Sequence, residues 1–355
     1  MNILNSSPQI SGILMEWYQK NKRTLPWREI TDPYKIWISE IILQQTRVNQ
    51  GISYYLRFIE QFPTLHTLAE ANEDEVLKFW QGLGYYTRAR NLHKAANQII
   101  LDYNGVFPTQ HKDVLKLAGI GVYTAAAICS FAYNQPYAVV DGNVYRVLSR
   151  LFGIDTPIDT NLGKKAFALL SQDLLSPTEP AIHNQAIMEF GALQCIPSSP
   201  NCNYCPLNSH CIAFELKIAN KLPVKLQKTK VTNRYFNYLY IEFQGNTFIQ
   251  KRKAKDVWQN LYEFPLIESD HLLSSMELME NNSFKAIFNQ IETDILKISN
   301  PMKHILSHRV IFAQFISIKI TKTSESLSQF NQIKITELDN YAVSRLIESF
   351  LEKQV

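Results

Sequence analysis

The stretch that most constrains this chain reads Leu115-Lys-Leu-Ala-Gly119-Ile-Gly121-Val-Tyr123-Thr124-Ala-Ala-Ala127 and, after one apolar helix, Ala138-Val-Val-Asp141-Gly142-Asn143-Val144. Two glycines around a single apolar residue let one helix stop and another start almost at once. The backbone N–H groups of Gly119, Gly121 and their neighbours are then left without helical carbonyls. Such a row of amides suits a phosphate oxygen. The pattern is a helix-hairpin-helix, and the helix after it delivers the Asp141 carboxylate to the next turn. A Gly-x-Gly at a helix start is also a common tight turn, so the rest of the chain has to decide between the two.

At 355 residues, 46% hydrophobic and 12% aromatic, the chain can bury two cores. Its 36 Lys plus Arg against 32 Asp plus Glu leave a net charge of +4, so any polyanion-binding surface must be local. The start, Met-Asn-Ile-Leu-Asn-Ser-Ser-Pro, lacks a basic, apolar leader, and no long uncharged apolar run follows. The expectation is a cytoplasmic protein with no membrane contact, nucleoid-associated if bacterial, acting as a monomer.

Helical spacing predicts helices over 8–22, 33–46, 48–61, 64–70, 73–81, 144–152, 161–175 and 181–194, with no strand signal before residue 230. Leu25-Pro26-Trp27-Arg28 breaks the first from the second. In the second, Glu40 stands among Ile36, Trp37, Ile41 and Leu43. On a solvated face it is unremarkable chemistry; facing a pocket, it would be kept protonated near neutral pH by desolvation. Gly82-Leu83-Gly84-Tyr85-Tyr86-Thr87-Arg88 is either a helix cap with packed tyrosines or a wedge for a duplex.

Residues 217–234 carry six basic residues and no acidic one, a linker able to lie along phosphates. Beyond it the period changes to 2. Tyr235–Phe243 and Thr247–Arg252 read as a hairpin around Gly245-Asn246, Val310–Ile320 as another strand, and 270–281 and 337–353 as helices. The predicted organisation is an all-α domain over 1–218, a linker over 219–233 and an α+β domain over 234–355.

Cys195, Cys202, Cys205 and Cys211 are separated by six, two and five residues, a spacing that can surround tetrahedral zinc or a cubane iron–sulfur cluster. Cys129, in the apolar helix, reads as core.

Cys-x6-Cys-x2-Cys-x5-Cys after Leu-Ala-Gly-Ile-Gly-Val-Tyr-Thr-Ala and Val-Val-Asp-Gly-Asn-Val resembles the iron–sulfur branch of the helix-hairpin-helix DNA glycosylases. Within that branch, Leu25–Arg28, Trp37–Thr46, Gln81–Leu92 and Asn184–Cys195 resemble the MutY-type family, which removes adenine mispaired with 8-oxoguanine or guanine. The resemblance implies a six-helix barrel lobe, a lobe holding a 4Fe-4S cluster on the four cysteines, and a Nudix-like 8-oxoguanine reader. Its partner would be double-stranded DNA with adenine opposite 8-oxoguanine or guanine.

In that family's roles, Glu40 protonates the purine and Asp141 stabilises the sugar cation or traps it covalently. Tyr123 stands beside the intermediate, and Asn143 positions Glu40 and water. Arg28, Val48 and Gln185 match the adenine pocket, Gln45 and Thr46 the contacts to the opposite base, Tyr85 the wedge, and Gly119 and Gly121 the phosphate-holding hairpin. Related bifunctional enzymes carry a lysine at position 123, so a tyrosine there implies base release without strand cleavage. Ser307 and His308 match the lesion-reading loop, although Leu306 replaces a Phe; Asn260 and Tyr262 depart from a Trp-x-Gly-Leu-Trp-Glu-Phe-Pro pattern. No acidic Nudix helix is present in the sequence, so nucleotide hydrolysis is not expected. Two rivals remain open at this point: an endonuclease III-like lyase, and a non-catalytic iron–sulfur DNA sensor.

Overall fold

Local chemistry starts each element that matters to the site. Asp32 caps α2 (Pro33–Leu43) by accepting from Tyr34 N at 2.9 Å, and Pro33 takes the first turn, where no N–H is needed. Asp141 caps α9 (Gly142–Leu151) by accepting from Val144 N at 2.8 Å. The computed structural model describes residues 3–226, 231–289 and 291–353. The middle of the expected basic linker, 227–230, lies outside the described residues.

Contacts divide the chain into two units, Met1–Glu70 with Lys94–Gln227, and Ala71–His93 with Lys228–Val355. The sequence reading placed 71–93 with the first domain; by contacts they group with the second.

In chain order, the helices are α1 (Ile3–Asn21), α2, α3 (Val48–Gln61), α4 (Leu65–Glu70), α5 (Glu73–Trp80), α6 (Thr87–Asp102), α7 (His111–Val114), α8 (Val122–Tyr133), α9, α10 (Asn161–Leu174), α11 (Pro180–Leu193) and α12 (Ile212–Glu215). In the first unit α2 packs on α3 and α8, while α11 packs on α1, α8 and α9. One core gathers Ile10, Leu14 and Tyr18 of α1, Val144, Val147 and Leu148 of α9, and Ala186, Ile187 and Phe190 of α11. Cys195, Cys205 and Cys211 pack against it. No helix among the described residues is long and apolar enough to cross a membrane.

The second unit's strands are β1 (Thr232–Glu242), β2 (Asn246–Lys251), β3 (Tyr262–Glu263), β4 (Leu266–Ser269), β5 (Thr293–Ile298), β6 (Met302–Ile305), β7 (Arg309–Ile320) and β8 (Asn331–Lys334). One sheet runs β4-β1-β7-β5, with β6 also on β7; a smaller one runs β3-β2-β8. β1 and β7 are parallel, from Thr232 against Arg309 to Glu242 against Lys319, and the remaining pairs are antiparallel. Helices α13 (Ser275–Glu280), α14 (Asn282–Phe288) and α15 (Arg345–Leu351) complete the unit.

The predicted hairpin is corrected here. β1 and β2 share only the bridge Phe243–Asn246 and then enter different sheets. Phe236 and Tyr238 to Ile241 of β1 are all buried, so both faces of this strand are covered and its partner comes from far along the chain. The predicted helix over 337–353 is also corrected, to a 3-10 turn over Ile335–Asn340 followed by α15.

Candidate active site

A cavity of about 880 Å³ in the first unit is lined by Glu40, Tyr123, Asp141 and Asn143, together with Arg28, Gln45, Thr46, Val48 and Gln185. The structure thus brings together nine of the residues singled out from sequence. The cavity is large enough for a nucleoside.

Glu40 projects from α2, only 7% exposed, and accepts a hydrogen bond from the Tyr123 hydroxyl at 2.9 Å. Burial raises its carboxyl to about 7, the Tyr123 bond opposes the rise, and the charge of Asp141 adds to it. Burial likewise keeps the Tyr123 phenol well above its ordinary range, so it holds the proton that it donates to Glu40.

Asp141 differs in its partners. Burial raises its carboxyl too, but Oδ1 accepts from Val144 N at 2.8 Å and Oδ2 from Asn143 Nδ2 at 2.7 Å, both of which favour the anion. Asn143, expected to position Glu40 and water, donates directly to Asp141. Its Oδ1 accepts from Arg146 Nη2 at 2.8 Å, and Arg146 Nε donates to the Cys195 carbonyl at 2.7 Å. The two acids are set apart: one has a single phenol donor, the other a helix amide and an amide side chain.

Four charged residues of the wall, Arg23, Arg47, Arg146 and Glu189, were missed in the sequence. Glu189, 1% exposed, accepts from Arg23 N, Nε and Nη2 at 2.9, 2.8 and 2.6 Å and from Arg28 Nη2 at 2.7 Å. Burial by itself would raise its carboxyl; the arginine bonds overcome this and bring it to about 2. A lone acid among Ile187, Met188 and Phe190 is the same signal that marked Glu40.

The hairpin turn follows α7. Gly119 has φ 73°, a left-handed conformation that glycine adopts without a side-chain penalty, and Gly121 precedes the first turn of α8 with no side-chain cap. The first-turn amides thus face away from any helical carbonyl, as an anion site requires.

The four cysteines line one cavity with Arg150. Cys195 follows α11, Cys202 and Cys205 bracket a 3-10 turn, and Cys211 precedes α12. Buried Arg150 fixes the loop, donating to the carbonyls of Ile196 at 2.7 Å, Pro197 at 2.8 Å and Ala219 at 2.8 Å, and to Cys195 Sγ at 3.4 Å. Burial raises the thiols of Cys202, Cys205 and Cys211, Cys205 to about 12, and neighbouring thiolates add to the rise. A cationic inorganic centre would reverse that sign. Among the described residues no three ligands surround a single ion. Four thiol donors around one cavity suit an inorganic centre, either tetrahedral zinc or a cubane iron–sulfur cluster.

Tyr85, Ser307 and His308 do not line the catalytic cavity. Within the second unit, the Tyr85 hydroxyl lies 2.6 Å from Ser307 Oγ, and Tyr85 is 46% exposed with φ 48°. The departures at 260 and 262 have a physical account. Asn260, at φ 67°, is one of the few side chains that tolerate the left-handed conformation a glycine would take there. Its Nδ2 donates to Glu73 Oε1 at 2.6 Å, and the Tyr262 hydroxyl donates to Asp74 Oδ2 at 3.0 Å.

Residues 38–171 match the HhH-GPD superfamily of base excision DNA repair proteins, and 237–353 match the NUDIX domain. Fold and site together define a helix-hairpin-helix repair protein of the HhH-GPD class with an α+β Nudix-like domain. The chain is 37% identical over 321 residues to the adenine DNA glycosylase of Buchnera aphidicola subsp. Baizongia pistaciae, covering 88% of this chain and 86% of that protein. It is 41% identical over 211 residues to the Homo sapiens adenine DNA glycosylase, covering 57% and 39%. The chain belongs to the adenine DNA glycosylase family. Among solved structures, a thermostable thymine-DNA glycosylase superposes with a TM-score of 0.56 at 29% identity, covering 60% of this chain and 98% of that one.

Proposed function

We propose that this protein hydrolyses the N-glycosidic bond of adenine opposite 8-oxoguanine or guanine in duplex DNA, leaving an intact abasic site. The observation that carries the reading is Glu40: a buried carboxyl near pKa 7, bonded to Tyr123, in one cavity with an amide-bonded Asp141.

Adenine in a duplex is stacked and must be extruded, at a cost of a few kcal/mol offset by phosphate and wedge contacts. The hairpin of Gly119 and Gly121 suits the phosphate and Tyr85 the wedge. Protonated Glu40 gives its proton to a ring nitrogen of the base. The C1′–N9 electron pair then leaves with neutral adenine, and the Asp141 carboxylate stabilises the oxocarbenium sugar. Water adds to C1′ and returns a proton to Glu40. Arg28, Val48 and Gln185 would hold the purine; Gln45 and Thr46 would meet the opposite strand, with Ser307 and His308 reading the lesion. Cys195, Cys202, Cys205 and Cys211 would hold a 4Fe-4S cluster that orders their loop when bound.

The test is single-turnover reaction of a duplex with adenine opposite 8-oxoguanine, developed with and without hot alkali. Strand breaks are expected only after alkali; binding without base release would sink the proposal in favour of a sensor. Because the acid must be protonated, the rate is expected to fall as pH rises through about 7, tenfold per pH unit well above it. A rate flat to pH 9 would contradict this.

Tyr123 cannot form a Schiff base. Tyr123→Lys places an amine in the same cavity, and about a tenfold gain in borohydride-trapped DNA adduct is expected. Wild-type enzyme trapping DNA as its main route would refute the monofunctional assignment.

A further inference from the structure

Tyr18 lies behind the cavity and not in its wall. It is 3% exposed, on α1, and touches two wall residues from different elements. Its hydroxyl donates to Gln185 Oε1 at 2.6 Å, and its ring lies under the Arg28 guanidinium, 5.2 Å from the centroid. Arg28 is held from elsewhere as well, by Glu189 Oε2 at 2.7 Å and the Arg23 carbonyl at 3.3 Å.

A glutamine amide has one accepting and one donating end of nearly equal shape, so its orientation is set by whichever neighbour distinguishes them. Burial raises the Tyr18 phenol, so its hydroxyl keeps its proton at neutral pH. At 2.6 Å the contact has the length of an O–H···O bond and is short for an N–H···O one, which sets the accepting end toward α1.

We propose that the Tyr18 hydroxyl positions Gln185, presenting its amide N–H pair to the base cavity beside the donor-only guanidinium of Arg28. The wall then offers donors from both residues. This suits a purine edge whose ring nitrogens accept, as in adenine, and opposes guanine, whose N1–H would meet donors. Tyr18 is a positioning residue, and its role rests on the base-excision reading above.

The test is a double-mutant cycle of Tyr18→Phe and Gln185→Ala, measured by single-turnover release of adenine opposite 8-oxoguanine. Tyr18→Phe keeps the ring under Arg28 and removes only the hydroxyl. It is expected to slow release about tenfold with an unchanged melting temperature, and Gln185→Ala to slow it at least as much. The double variant should be no slower than Gln185→Ala, since the hydroxyl acts only through that amide. A Tyr18→Phe enzyme at the wild-type rate, or losses that multiply in the double variant, would overturn the inference. Should Tyr18→Phe not fold, Gln185→Glu decides: it keeps an acceptor for the Tyr18 hydroxyl and removes the N–H pair, so a slowed release supports the inference and a wild-type rate overturns it. Wild-type enzyme that releases no adenine would instead overturn the base-excision reading itself.

Discussion

Glu40→Gln is expected to slow adenine release about 10³-fold and, at the same time, to stabilise the protein above neutral pH. The first effect follows from removing a cavity carboxyl whose hydrogen-bond donor is the Tyr123 phenol. Glutamine nearly matches glutamate in shape and can still accept from Tyr123, so the wall is preserved while proton donation is lost. The second effect comes from linkage. The folded carboxyl sits at about 7, above the ordinary 4.5, so its favourable contribution is complete below pH 4.5 and disappears as pH rises through 7. Above that, holding the ionised group in place costs about 3 kcal/mol, which a neutral glutamine avoids. Denaturant midpoints at pH 5 and pH 8 check this: the variant should gain at pH 8 and little at pH 5. Equal midpoints for both proteins at pH 8 would mean that the carboxyl is not desolvated, and the assignment as proton donor would lose its basis.

How much of this was legible in the sequence varies with the range of the signal. Glu40 stood out because an acid among Ile36, Trp37 and Ile41 is a local anomaly, and its partner Tyr123 was found through the hairpin. Glu189 carries the same local signature. It went unread because its partners, Arg23 and Arg28, are more than 160 residues earlier, too far for any local pattern to join them. The hairpin of β1 and β2 failed for a related reason. A two-period run beside Gly245-Asn246 specifies strands and a turn, but pairing was decided by burial of both faces of β1 against β7, which begins 77 residues after it. Tyr18 could not have been marked at all, since a tyrosine on an apolar helix face is ordinary core until its hydroxyl's partner is known. The cysteines were legible because four of them within one loop need no tertiary information to be brought near each other.

Asp141→Asn should slow base release by about 10²–10³-fold while leaving affinity for duplex DNA unchanged or tighter, and the two readouts together separate electrostatics from folding. Asparagine is as good a helix cap as aspartate, so Val144 N keeps an acceptor and α9 keeps its start. What is lost is the charge. On the other carboxylate oxygen, Asn143 Nδ2 now donates at 2.7 Å; an asparagine there would oppose one NH₂ group with another. Asn143 cannot turn its own amide to relieve this without giving up the 2.8 Å bond from Arg146 to its Oδ1. The substitution therefore removes the negative field where a sugar cation would form and disturbs little beyond Asn143. Removing a negative charge from a cavity that receives a polyanion can only help binding. A loss of less than about tenfold in single-turnover rate, with the duplex still bound, would mean that Asp141 serves only to cap α9, and the two-acid mechanism would fall with it.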